Sequence, residues 1–180
     1  KYELILIFGK ESSKMEEPEA INLIIKNGKK FEKININNKG FFRFLDLFGY
    51  LQFIYLIIKY RPNIVHSISP LANLIGGMSL IYFKNIKLVM SISGMGFIFI
   101  GNNFIKKIIS FIYLFLFKLI MRKNKLQIIV QNSDDYNFFN KNFDLKNKLN
   151  LIKGSGVNLS LFGNIDYNKK ENNVIFPARL

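Results

Sequence analysis

Short, continuously apolar runs alternate with longer apolar or amphipathic segments along almost the whole chain. No other feature constrains the fold as tightly. Tyr2–Phe8, Phe31–Ile36, Asn63–Ile68, Lys87–Ile92, Leu126–Gln131, Leu149–Ile152 and Val174–Phe176 have the length and composition of strands. Helices are expected between them. One opens at Pro18 among Glu16, Glu17 and Glu19, since proline suits a first turn and acids suit the positive end of the helix dipole. Ile21, Leu23, Ile24 and Ile25 supply its buried side, and Asn27-Gly28 stops it. After a turn at Asn37–Gly40, further helices are expected over Phe41–Tyr60, Pro70–Phe83 and Phe104–Arg122. Ser133 is expected to cap a last, short helix reaching about Asn140, with Asp134 and Asp135 in its first turn.

Phe31–Ile36 alternates, but the other strands are apolar throughout, and such strands belong to a sheet buried on both sides. The alternation therefore predicts an α/β fold, a Rossmann-like parallel sheet with helices on both faces. In such sheets ligands bind beyond the carboxyl ends of the strands. The loops that matter are then His66–Pro70, Ser93–Phe97, Asn132–Asp135 and Gly154–Val157.

The chain has 180 residues and a formal net charge of +14. Isoleucine, lysine and asparagine are abundant, a bias that an AT-rich genome imposes, so the location of the charge says more than its size. Residues 47–133 hold ten Lys/Arg and no Asp or Glu, whereas the flanking segments are nearly balanced. That stretch excludes a carboxylate acid/base pair within itself and suits phosphates, anionic lipid or nucleic acid; drift in a lysine-rich proteome accounts for the pattern equally well. Zero cysteines exclude disulfides, thiolate metal sites and cysteine nucleophiles, and a single histidine, His66, excludes a multi-histidine metal site. Ile108–Phe117 is the most apolar window, but Lys106, Lys107 and Lys118 bound it. A membrane span needs ~20 apolar residues, so no span is expected.

Taken singly, the loops are weak signals. Ser93-Gly94-Met95-Gly96-Phe97 lacks the third glycine of a dinucleotide fingerprint, with Phe99 in its place, and a tight turn accounts for it. Gly154-Ser155-Gly156 is similar. His66 at the end of an apolar strand is accounted for by a hydrogen-bonded structural imidazole, and Asp134 and Asp135 by a helix start.

Taken in order, the same segments resemble the family 4 glycosyltransferases, retaining enzymes with the two-domain GT-B fold. Arg61-Pro62-Asn63-Ile64-Val65-His66-Ser67 is similar to that family's "(K/R)-P-D-(I/V)-V-H-(S/T)" strand. Ser91-Ile92-Ser93-Gly94-Met95-Gly96-Phe97 resembles its "T-(V/I)-(S/T/H)-G-(L/M)-G" loop, with serine at Ser93 where many members carry histidine. Val130-Gln131-Asn132-Ser133-Asp134-Asp135 resembles "Q-N-x-D-D". Lys153-Gly154-Ser155-Gly156-Val157-Asn158-Leu159 with Phe162 resembles "x-G-S-G-V-D-L…F", with Asn158 for the usual aspartate. Val174–Leu180 resembles the strand that leads into "x-R-L" at the opening of the second domain.

The resemblance implies that residues 1–170 form an acceptor-side Rossmann-like domain lacking its first strand, and that 171–180 begin a nucleotide-sugar-binding domain. Lys1 and the close at Ala178-Arg179-Leu180 fit a piece incomplete at both ends. It further implies transfer of a sugar from a nucleotide-sugar, with retention of configuration, to a polyprenyl-diphosphate-linked or saccharide acceptor. The fragment itself is expected to be inactive. Ser93, Gly94, Gly96 and Arg179 would contact the donor; His66, Ser67, Asn132, Gly154 and Gly156 would lie on the acceptor side or support the cleft. No metal or other cofactor is implied. The setting implied is cytoplasmic, peripheral on the inner face of the membrane. There, Phe104, Phe111, Phe115 and Phe117, flanked by Lys106, Lys107, Lys118, Arg122 and Lys123, would meet anionic lipid; aromatics that fill the core, with lysines that are merely solvated, account for most of them equally well. The rival class is a non-catalytic basic module on membrane or nucleic acid; no nucleic-acid-binding motif accompanies the charge.

Overall fold

The structure is a computed structural model and describes residues 3–9, 17–36, 46–94, 104–154, 156 and 160. The turn at Asn37–Gly40, the first residues of the expected helix at Phe41, Gly96, the strand Val174–Phe176, Arg179 and the whole 171–180 segment lie outside the described residues. The fold is α/β, with parallel sheets flanked by helices in a Rossmann-like arrangement. In chain order the elements are β1 (Ile5–Gly9), α1 (Glu17–Lys26), β2 (Lys30–Ile34), α2 (Asp46–Tyr60), β3 (Ile64–Ile68) and α3 (Pro70–Leu80). There follow β4 (Lys87–Ile92), α4 (Phe104–Met121), β5 (Leu126–Val130), α5 (Ser133–Asn142), a 3-10 turn (Lys146–Lys148) and β6 (Leu149–Leu151).

The strands fall into two parallel sheets, β1-β2 and β3-β4-β5-β6. In the larger one, Leu88 lies opposite Val65 and Leu126, and Ile128 opposite Met90 and Leu149. One face thus carries Val65 and Ser67, then Leu88, Met90 and Ile92, then Leu126, Ile128 and Val130. The strand order is consecutive, so right-handed crossovers put α3, α4 and α5 on that same face. Leu88, Met90, Ile128 and Val130 are completely buried beneath them. Phe117 of α4 closes the layer, its ring centroid 5.6 Å from Tyr113 and 5.5 Å from Phe139 of α5.

α1 ends as the Asn27-Gly28 signal requires. Lys29 N–H reaches Ile24 O and Gly28 N–H reaches Ile25 O, with Gly28 at φ 62°, the bonding of a Schellman stop. Its buried side is narrower than expected. Ile21 and Ile24 are half-buried, but Leu23 and Ile25 are 60% and 58% exposed; at 100° per residue Leu23 points away from the 21/24 face, whereas Ile25, four residues after Ile21, lies at its margin.

Two expectations for the basic aromatic helix are corrected. Phe117 is a core residue with no exposure, and Lys123, beyond the end of α4, is 9% exposed. Lys123 Nζ donates to Leu80 O at 3.0 Å and Phe83 O at 2.8 Å, satisfying carbonyls at the end of α3. Burial holds its pKa below the usual lysine value, with Lys125 adding to the effect. Among the described residues no helix is long and apolar enough to cross a membrane.

α3 packs unusually close to its neighbours. A Cβ on Gly76 would meet Ser67 Cβ at 3.4 Å, and one on Gly77 would meet Ile120 Cδ1 at 2.4 Å and Cγ2 at 2.7 Å. Gly77→Ala is therefore expected to destabilise the chain by about 1–3 kcal/mol through overpacking. Adding Ile120→Val, which removes the Cδ1 methyl, should recover part of that loss in urea unfolding; strict additivity of the two changes would refute direct contact.

β2 is tied to α2 by Glu32, which accepts from the Tyr60 hydroxyl and from Lys59 Nζ at 2.9 Å. The Tyr60 hydrogen bond first, and Lys59 second, hold the Glu32 carboxyl below the usual glutamate range. A depressed carboxylate pKa contributes stability above the unfolded value of about 4.3 and loses it as pH falls through the folded value. Stability measured from pH 6 downward should accordingly fall less steeply in Glu32→Gln than in the parent chain.

Candidate functional site

Because β3 to β6 are parallel and adjacent, their carboxyl ends emerge along one edge. At ~4.8 Å per strand, four such ends span roughly 14 Å. Ser93 and Gly94 follow β4, Asn132 follows β5, and Gly154 and Gly156 follow β6. Ile152 N–H donates to Val130 O at 2.9 Å and keeps the last two ends in register.

The β3 and β4 ends are joined by a polar cluster. Ser67, 6% exposed, donates its hydroxyl to Asn73 Oδ1 at 2.7 Å. Asn73, 1% exposed on α3, donates through Nδ2 to Ser91 O at 2.9 Å. On the other face of the sheet, His66 Nε2 lies 2.8 Å from Ser91 Oγ, the donor depending on the imidazole tautomer. Ser91 is thus held from both faces, two residues before Ser93. His66 and Ser67 each hydrogen-bond across from the β3 end, His66 to Ser91 and Ser67 to Asn73.

Backbone conformation marks two positions at the β3 and β4 ends of this edge. Gly94 has φ 149°, and a Cβ there would meet no other atom within 4 Å, so glycine is needed for conformation and not for space. Ser69, at the start of α3, has φ 91° and ψ 152°, a region almost confined to glycine. Ser93 is exposed and Gly94 half-buried.

Asn132 is the cap of α5, in place of the expected Ser133. Its extended backbone (φ −136°, ψ 161°) makes it the half-helical residue, and Ser133 is already the first residue of the helix. Asn132 Oδ1 accepts from Asp135 N–H at 2.7 Å, and its Nδ2 donates to Asp135 Oδ2 at 2.8 Å. This reciprocal pair engages the amide and one oxygen of the Asp135 carboxylate in local structure. Gly154 and Gly156 are exposed, with Gly156 at φ 69°.

The edge therefore brings together His66, Ser67, Ser93, Gly94, Asn132, Gly154 and Gly156, while Gly96 and Arg179 lie outside the described residues. Its β3–β4 half carries no carboxylate in residues 64–94 and includes Ser93, Gly94 and the start of α3, a setting suited to an anionic ligand. A shallow depression of about 400 Å³, lined by Ile57, Arg61, Pro62, Phe83, Asn85 and Ile86, lies at the opposite, amino-terminal edge. Ligands of open parallel sheets bind at the carboxyl edge, so the depression is not the candidate site.

Asn73 and Ser69 were not singled out from sequence. One polar amide in the otherwise small and apolar α3 was the available signal for Asn73; for Ser69 only the following proline hinted at an unusual backbone. No protein-family model matches the chain, and no curated protein matches it.

Asn73→Ala removes the amide from between Ser67 and Ser91, leaving the Ser67 hydroxyl only its long contact with Val89 O at 3.5 Å, and is expected to cost about 1–3 kcal/mol. Chemical denaturation would measure this. An unchanged midpoint would mean that the cluster does not hold the edge.

Proposed function

We propose that this chain forms the acceptor-side domain of a retaining family 4 glycosyltransferase of the GT-B type. The intact enzyme would move a sugar from a nucleotide-sugar to a lipid-linked or polysaccharide acceptor. One observation carries the proposal: the described residues of four segments that resemble the family's motifs, far apart in sequence, lie along a single carboxyl edge. The strand order supports it as well. The classic doubly wound order is 3-2-1-4-5-6; with β1 to β6 taken as strands 2 to 7, the break between the two sheets falls where strand 1 belongs.

The chemistry asks for stabilisation of a departing diphosphate beside an oxocarbenium-like sugar. Fixed N–H dipoles and cations do this without a nucleophilic carboxylate, in keeping with the acid-free stretch from 47 to 133. Ser93, Gly94, Gly96 and Arg179 would face the donor. His66 and Ser67 would act as positioning residues, through Ser91 and Asn73, and Asn132, Gly154 and Gly156 would shape the remaining edge. The donor and the acceptor are substrates; no metal enters the proposal.

The test uses the product of the complete coding sequence with a panel of nucleotide-sugars and a polyprenyl-diphosphate-linked acceptor. Transfer with retained anomeric configuration, read by NMR, is the expected result, and Gly94→Ala should lower kcat/KM on the order of tenfold or more by misplacing the loop. The 180-residue chain alone should show no turnover. Inverted product, no transfer with any donor, or salt-sensitive DNA binding in place of transfer would overturn the assignment.

A further inference from the structure

The outer surface of the helical layer is apolar in three adjacent stripes. On α4, Phe104, Ile108, Phe111 and Phe115 recur at spacings of four, three and four, and all are exposed, Phe111 to 72%. On α2, Leu47, Leu51, Tyr55 and Ile58 recur at four, four and three and are likewise exposed. On α3, which packs between these two helices, half-buried Leu71, Ile75 and Met78 continue into Tyr82, 83% exposed just past its end. In α2 and α4 the exposed stripe lies opposite the buried one, Phe53, Leu56 and Ile57 in the first and Tyr113, Phe117 and Ile120 in the second. The stripes therefore point outward from the same side of the molecule.

Charge decides what this surface fits. The three helices contain no acidic residue beyond Asp46 at the first position of α2. Lys107, Lys118 and Arg122 are exposed beside the α4 stripe. Large apolar side chains edged by long cationic ones, with no carboxylate to repel phosphate, match the boundary between headgroups and acyl chains of an anionic bilayer. We propose that α2, α3 and α4 form a docking face for an anionic lipid surface, with the Phe104–Phe115 stripe of α4 inserted shallowly and the cations at headgroup level. The proposal stands on the helical layer and does not depend on sugar transfer at the carboxyl edge.

The chain contains no tryptophan, so Phe111→Trp supplies a single reporter that keeps an aromatic at the site. It should shift to the blue and resist acrylamide quenching when vesicles of roughly one-third phosphatidylglycerol in phosphatidylcholine are added. A control Trp at exposed Ile152, replaced in a separate variant, should not change. In co-sedimentation, Phe111→Ser with Phe115→Ser should weaken vesicle binding at least tenfold. Lys107→Gln, Lys118→Gln and Arg122→Gln should each weaken it about fivefold, with loss at high salt. Circular dichroism of the serine variant checks that the fold is kept. No blue shift at position 111, equal binding to pure phosphatidylcholine, or a dimer in sedimentation that the serine pair dissolves while vesicles go unbound would each overturn the proposal, the last in favour of a second copy of this chain.

Discussion

α3 lies nearer α4 than a helix bearing a side chain at position 77 could, because Gly77 faces Ile120. Gly76 sits over Ser67, and Gly77 leaves room for the whole Ile120 side chain. That approach brings Asn73 within reach of two strands at once, so one amide satisfies a hydroxyl on β3 and a carbonyl on β4. Packing and polar satisfaction are coupled here: were α3 pushed outward, the amide would lose its partners. The shape of the carboxyl edge, through Ser91, depends on this one helix. The unusual Ser69 backbone is where the chain turns from β3 into it.

The lysines divide into two populations with different physical meaning. Lys123 satisfies carbonyls at the end of α3, and Lys148 does the same for α4, donating to Met121 O and Lys123 O at 3.1 Å each. These cations belong to the folded scaffold, where the negative end of a helix and free carbonyls favour them. Lys107, Lys118 and Arg122 face solvent. A net charge of +14 therefore overstates the cationic surface.

Much of the fold was legible in the sequence, because continuous apolar runs and strong stop signals mark β3 to β5, α1 and α3. The candidate edge was legible to the level of loops. The details that failed are those for which pattern carries no information. α4 is apolar nearly all round, so periodicity could not separate buried Phe117 from exposed Phe111 and Phe115; only the packing against Phe139 does. Lys123 resembles any surface lysine until the end of α3 is seen beside it. Asn132 and Ser133 are both good caps, and the choice between them follows from where the backbone leaves β5. Asn73 was hidden because its value lies in two partners, Ser67 and Ser91, six and eighteen residues away.

Helices in right-handed parallel crossovers run back along the strands they connect. The layer built by α2, α3 and α4 therefore lies alongside the strands, and the edge bearing Ser93, Asn132 and Gly154 stands at right angles to it. A plane that took up the helical layer would pass beside the mouth of that edge and not across it. A molecule confined to such a plane would meet the edge by lateral diffusion, a search in two dimensions, while a water-borne one would still approach from the third.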